Sequence, residues 1–283
     1  MDWKSQQNPD GGWAYGLSGS GKRTSWTEPT VLVLLAQSVN GMSPQGGERE
    51  IFAGGMRFLR SMEGRDGGFR PQPEVRESTW VTAVAALLPE ETLGAERYRR
   101  AIDWLKGQTG RESGWSFQLQ QRLQGNKADY PRGWPWFPGA AAWVIPTSLG
   151  MMAFDRALTR SAQFRDDREL KERLRDGRKY LLSRMCADGG WNHGSNEALG
   201  FSGDSYPETT GIALAALKGL PLSPQLEKGK AAARRHLASC RTAEGIAWLR
   251  IGLAAQGEKV RSAYQPVCRT VMDEALMVLA ENA

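Results

Sequence analysis

A short turn that recurs along the chain constrains its fold more than any other feature. Its first copy is Gln7-Asn8-Pro9-Asp10-Gly11-Gly12-Trp13, and weaker copies follow at 63–69, 112–115 and 188–191. Glycines in these turns allow a positive φ, and the acidic residue can accept bonds from nearby backbone amides. The aromatic that closes each copy (Trp13, Phe69, Trp115, Trp191) is expected to be a buried anchor, because a large apolar face gains most by leaving water. Apolar runs bearing threonine, at 28–36, 80–87, 145–153 and 208–216, accompany the turns. The repeating unit is therefore a turn paired with a buried helix.

Those runs are apolar on every side, as suits helices enclosed all round. Between them lie amphipathic segments such as 51–60, 95–106 and 170–185, whose charged faces suit an outer layer. Alternation of the two kinds predicts an all-α chain. The expected architecture is an α/α toroid, a double ring of helical hairpins with about five to six parallel inner helices. It is expected as a single domain over 1–283. An aromatic insertion loop at 116–142 interrupts it, with prolines that oppose a regular helix. No alternating strand pattern is present. The last segment, 265–280, is expected as an outer helix docking where a first outer helix is missing.

Composition narrows the function classes. The net charge of +6 comes mostly from arginines on amphipathic segments, and no basic run of five occurs, so nucleic acid is not an expected partner. Three cysteines without framework spacing suit a reducing compartment, and the start lacks a secretory signal pattern. A cytoplasmic location is the expectation. No apolar run reaches the length of a membrane span, which leaves peripheral membrane contact as the available membrane role.

The turn at Gln7 to Trp13 matches the QxxDGxW repeat of squalene–hopene and oxidosqualene cyclases at each defined position. Residues 63–69 keep Asp-Gly-Gly but carry Glu63 and Phe69 for Gln and Trp, and the copy ending at Trp191 has Met185 in the Gln position. The chain thus resembles the terpenoid cyclase and protein prenyltransferase repeat family. That resemblance implies an α/α toroid binding an isoprenoid or similar apolar ligand in a central cavity. The chain lacks the family's DxDD acid motif; its nearest carboxylate pair, Asp166-Asp167, lies in a charged helix start. It also lacks the prenyltransferase zinc ligands, since Cys186 and His193 do not have ligand spacing, so no metal and no cofactor are expected.

Aligning the buried runs on Thr30, Thr82, Thr147 and Thr210 puts Trp26, Ser78, Trp143 and Tyr206 at one level, and Glu28, Trp80, Ile145 and Glu208 two residues on. Parallel inner helices would gather these at one mouth of the ring. Glu28 and Glu208 are the candidate acids, the plainer role being complementation of the positive helix ends. Asp204 is either a cap for the fourth inner helix or a third rim carboxylate. Trp26, Trp80, Trp143 and Tyr206, with Trp134 and Trp136 from the insertion, are the candidate ligand-binding residues; their rings can face a carbocation or stack on a sugar. Two other classes stay open beside the apolar-ligand reading: a non-catalytic interaction module, and a carbohydrate-active lyase or hydrolase. Gly19-Ser20-Gly21-Lys22 is an incomplete phosphate loop, and neither His193 nor His236 has an evident nucleophile partner.

Overall fold

The computed structural model describes residues 3–16, 24–39, 47–124, 131–194, 197–198 and 201–283, with the backbone alone at 47, 115–116, 121–122, 197–198 and 201–202. Its α-helices are α1 (Trp3–Gln6), α2 (Thr27–Ser38), α3 (Gly47–Ser61), α4 (Val81–Ala85), α5 (Glu90–Leu93), α6 (Ala95–Lys106) and α7 (Trp115–Leu123). The rest are α8 (Val144–Arg160), α9 (Arg168–Ser183), α10 (Pro207–Ala216), α11 (Pro224–Ser239), α12 (Ala243–Ala255) and α13 (Val271–Glu281). A two-residue strand pairing, Glu197–Ala198 with Phe201–Ser202, is the only ladder longer than an isolated bridge among the described residues.

The all-α toroid is what the chain forms. Helices α2, α4, α8, α10, α12 and α13 contact one another in that order, and α13 returns to α2, which closes an inner ring of six. Outside it, α3 packs on α2, α6 on α4 and α8, α9 on α8, and α11 on α10 and α12. Closure differs from expectation, because the last helix is an inner one. The face of α13 carrying Val271, Ala275 and Leu276 is buried with Leu32, Val33 and Ala247, so it seals the inner ring and leaves no outer helix between α12 and α13. The tightest inner pair is α10 with α12. There Gly211 meets the Trp248 backbone and Gly252 meets Gly211 O, contacts no Cβ could share.

Each turn is fixed twice. Gly11, Gly67 and Gly189 have φ of +92°, +90° and +93°, and a Cβ on any of them would strike the backbone of α3, α6 or α11 respectively. The following aromatic then gives its backbone N–H to a threonine hydroxyl of the inner helix: Trp13 to Thr30, Phe69 to Thr82, and Trp191 to Thr210. The indoles of Trp13 and Trp191 lie over Gly55 and Gly229 on the outer helices.

In the third repeat Trp134 holds this position. Its N–H bonds Thr147 Oγ1 at 2.9 Å, its indole donates to Leu105 O, and it packs over Gly150 and Gly177 with 2 % exposure. The backbone bond that closes each turn also recurs: Asn8 to Gly12, Gly64 to Gly68, Cys186 to Gly190, and here Gly110 to Gly133. Residues 111–132 therefore occupy the place of a three-residue turn. Trp134 is thus corrected from ligand-binding candidate to structural anchor; nothing is described of the Trp115 side chain. The insertion is also partly helical, through α7, where an irregular loop was expected. Its stretch 125–130 lies outside the described residues, as do Gly19 to Lys22.

Candidate functional site

The mouth at the N-terminal ends of the inner helices is built by register. Trp26, Trp143 and Tyr206 are the N-cap residues of α2, α8 and α10, and each donates its backbone N–H to its own anchor's carbonyl: Trp13, Trp134 and Trp191. In the second repeat Thr79, not Ser78, bonds Phe69 O. Trp80 consequently stands one residue past that level, where Thr27 and Val144 stand in their helices, and not level with Glu28. Helix α4 starts a residue short, which explains the slip. The residue two beyond three of the anchors, Phe69, Trp134 and Trp191, knits neighbouring repeats: Pro71 O accepts from Thr27 N, Trp136 O from Trp80 N, and His193 O from Val144 N.

Aromatic rings crown this rim. Trp136 meets Trp80 edge to face at 4.8 Å, Tyr15 tilts against Trp26 at 5.3 Å, and His193 lies 5.4 Å from Tyr206. Tyr206, Trp143 and Phe137 remain 44 %, 38 % and 54 % exposed, unusual for such large apolar surfaces.

Glu28 occupies the first turn of α2, half-buried, and accepts a short hydrogen bond from the Tyr15 hydroxyl. Burial pushes its carboxyl up to about 7, against the opposing pull of the Tyr15 bond, and the nearby charge of Glu244 adds to the rise. Glu244, half-buried in the first turn of α12, is also pushed up to about 7, by burial first and then by Glu208 and Asp273. Burial and Glu28 together drive the Tyr15 hydroxyl upward. These couplings bring carboxyl groups of α2, α10, α12 and α13 into one electrostatic cluster. Among the described residues no lysine or arginine pairs with Glu28, Glu208 or Glu244.

Glu244 and Tyr15 are absent from the sequence-based candidates, yet each carried a signal. Glu244 sits two residues past its N-cap, Thr242, as Glu28 and Glu208 do past theirs, but α12 has no threonine anchor to align on. Tyr15 stands two residues past Trp13, the position of Pro71, Trp136 and His193. Asp204 is exposed and is not the cap of α10, since Tyr206 holds that position without a side-chain bond. His236 does have a hydroxyl partner: its Nε2 lies 2.6 Å from Ser205 Oγ, which also donates to Asp188. That arrangement is structural. Ser25 and Ser78 bond Asp10 and Asp66 in the same way, and Asn8 donates to Ser25 where His236 meets Ser205. Among the described residues no group of three or more His, Cys, Asp or Glu side chains is set to hold a metal ion.

The opposite end of the ring is different. Leu32 and Leu35 continue the Glu28 face of α2, Trp248 and Ile251 the Glu244 face of α12, and Ala215 the Glu208 face of α10, by helical periodicity. With Leu87, Met152 and Leu279 they line an axial cavity of about 420 Å³ at the C-terminal ends of the inner helices.

No protein-family model matches the chain, and no curated protein matches it in sequence. Solved structures do share its fold. The type II terpene cyclase MstE from Scytonema superposes with a TM-score of 0.54 at 15 % identity, over 98 % of this chain and 72 % of that one. The cellobiose 2-epimerase from Spirochaeta thermophila gives 0.56 at 13 % identity, over 98 % and 79 %. An α-amylase from Clostridium perfringens gives 0.58 at 10 % identity, over 99 % and 94 %. At these identities the likeness is one of fold, and the fold is the α/α toroid shared by a terpene cyclase and carbohydrate-active enzymes. No helix of the described chain is long and apolar enough to cross a membrane.

Proposed function

We propose that the N-terminal mouth of the ring is a small-molecule site for a polyhydroxylated, carbohydrate-like ligand, with Glu28 as its proton-bearing group. The observation that carries this reading is the cluster of Glu28, Glu244 and Glu208 without a lysine or arginine partner among the described residues, at a rim of exposed aromatic rings. A hydrocarbon there would strip water from several carboxyl groups and return no hydrogen bonds, a loss of several kcal/mol in all. Hydroxyl groups satisfy the same carboxyls, and ring faces of Trp26, Trp80, Trp136, Trp143 and Tyr206 suit stacking on a sugar. Glu28, protonated near neutrality, can donate a proton to a leaving oxygen while Glu208 accepts one from a hydroxyl or water; Asp204 serves at the outer rim. The fold neighbours include both chemistries, so the fold does not choose between them.

Titration with xylo-oligosaccharides, followed by tryptophan fluorescence, tests the proposal. Quenching is expected, and Trp143→Ala should weaken it about tenfold while the circular dichroism is unchanged. A Trp143→Ala protein that binds as the parent does removes the mouth as the site.

A second reading, binding of an isoprenoid, rests on the axial cavity. Its walls are mostly apolar, with Asp155, Arg156 and Lys218 joining the lining, and its volume of about 420 Å³ suits an apolar chain with a polar end. In that reading Leu32 and Trp248 separate the ligand from Glu28 and Glu244, so the protein binds the lipid without protonating it. Geranylgeraniol run beside the sugars separates the two: a lipid response abolished by Ala215→Phe and indifferent to Trp143→Ala supports this second reading.

A further inference from the structure

On the flank of the ring, between α12 and α13, no outer helix is present among the described residues; the extended segment 257–270 crosses instead. Under it lies a cavity of about 820 Å³. Its apolar walls are Ile246 and Ala254 on α12, the latter also bordering the axial cavity, Met277 and Ala280 on α13, and Val260 and Tyr264 on the crossing segment. Three cations join this lining, Arg250 on α12 with Lys259 and Arg261 on the segment, against one acidic side chain, Glu281, with Ala283 beside it. None of the three has an ion pair or hydrogen bond among the described residues, whereas nearby Lys230 and Arg234 are both paired with Glu258. Arg250 is half-buried and its Nε is enclosed without an acceptor. Arg173 and Arg184, enclosed at Nε in the same way, lie over Trp134 and Tyr180; Arg178 and Arg250 have no such ring contact, and of these two Arg250 lines the cavity. An enclosed guanidinium N–H left without an acceptor is costly, and an anion is the partner that corrects it best.

We propose that this flank cavity is a binding site for a small anionic amphiphile, its head on Arg250, Lys259 and Arg261 and its apolar body along Ile246, Ala254 and Met277. The remaining acidic groups near the segment are Asp273 and Glu274 in the first turn of α13; Asp273 accepts from the backbone N–H groups of Arg269 and Thr270, and both carboxylates are felt at Cys268, a residue of the cavity lining. The site is independent of the mouth reading, since it uses none of the rim.

Calorimetric titration of the whole chain with laurate, and with dodecanol as its uncharged counterpart, tests the assignment. Laurate is expected to bind at least about tenfold more tightly than dodecanol, and Arg250→Leu to lower laurate affinity by about tenfold or more. Met277→Trp, which fills the cavity and leaves the cations in place, should abolish binding; it decides the matter if Arg250→Leu fails to fold. Ala215→Phe, in the axial cavity, should leave laurate binding unchanged. Equal affinity for laurate and dodecanol, a parent-like Arg250→Leu, or loss of binding in Ala215→Phe overturns the proposal, the last by moving the ligand to the ring axis.

Discussion

The two ends of the inner ring are made by the same helix faces and differ in almost every other respect. On α2, α10 and α12 the N-terminal end offers Glu28, Glu208 and Glu244, and two turns further the same faces offer Leu35, Ala215 and Ile251. The positive end of each helix favours the carboxylates where they stand, while the C-terminal ends close on aliphatic side chains. Between them Leu32 and Trp248 form the inner wall of the axial cavity. One scaffold thus holds a polar, titratable mouth and a mostly apolar floor less than three helical turns apart. Ligand class should follow which end is used.

The largest expected effect comes from breaking what both ends share. Trp134 and Trp191 each bury an indole on a glycine of the outer helix and hold an inner-helix threonine through the backbone. Truncating either to alanine should cost about 3–5 kcal/mol. Chemical denaturation is the measurement. A Trp134→Ala protein as stable as the parent would show that the third repeat is not anchored like the others, and the equivalence of the rim positions would go with it.

The same residues mark how far the fold could be read in advance. Trp13, Phe69 and Trp191 were legible because Asp-Gly lies immediately before the aromatic, a local signal that needs no tertiary knowledge. Trp134 was not, because the insertion places Gly110 and Gly133 far apart in sequence; the spacing of thirteen to its threonine, shared with Phe69 and Thr82, was the surviving clue. Glu28 and Glu208 could be listed as candidates from their helix starts. Their coupling through Glu244 could not, since it depends on how α12 and α10 close at Gly211 and Gly252. The layer of α13 was likewise hidden. Its sequence is amphipathic enough for either ring, and only the absence of an outer helix ahead of it decides the matter.

A smaller effect should touch the mouth alone. Glu28 and Glu244 hold their protons to about 7 in the folded chain, whereas an unfolded glutamate titrates near about 4.3. Between those values the folded state binds more protons than the unfolded one. The stabilisation conferred by these groups is therefore complete below about pH 4 and is lost as pH rises through about 7. Glu28→Gln keeps a side-chain oxygen for Tyr15 and removes the charge. It should raise stability near pH 8 by about 1–2 kcal/mol, a figure reduced for the half-exposed setting, and flatten the pH profile. Melting curves from about pH 4 to 9 supply the check. A parent-like profile would mean Glu28 is already charged at neutrality, and its role as the acid would fall.

The smallest expected effect tests whether the ends are independent. Ala215 lines the axial cavity on the same face of α10 as Glu208. A phenyl ring built there enters open space instead of displacing packed atoms, so Ala215→Phe should change stability by less than about 1 kcal/mol. It should nevertheless occlude much of the cavity and abolish any response to geranylgeraniol. Because Leu32 and Trp248 stand between that ring and the carboxyl cluster, the pH profile of stability and the xylo-oligosaccharide response should both match the parent. The two measurements are read on one variant, which excludes differences in preparation. A shifted pH profile would show that packing at the floor reaches Glu28 and Glu244 through the intervening layer. The mouth and the cavity would then be one site, and a ligand spanning the axis would replace the two separate readings.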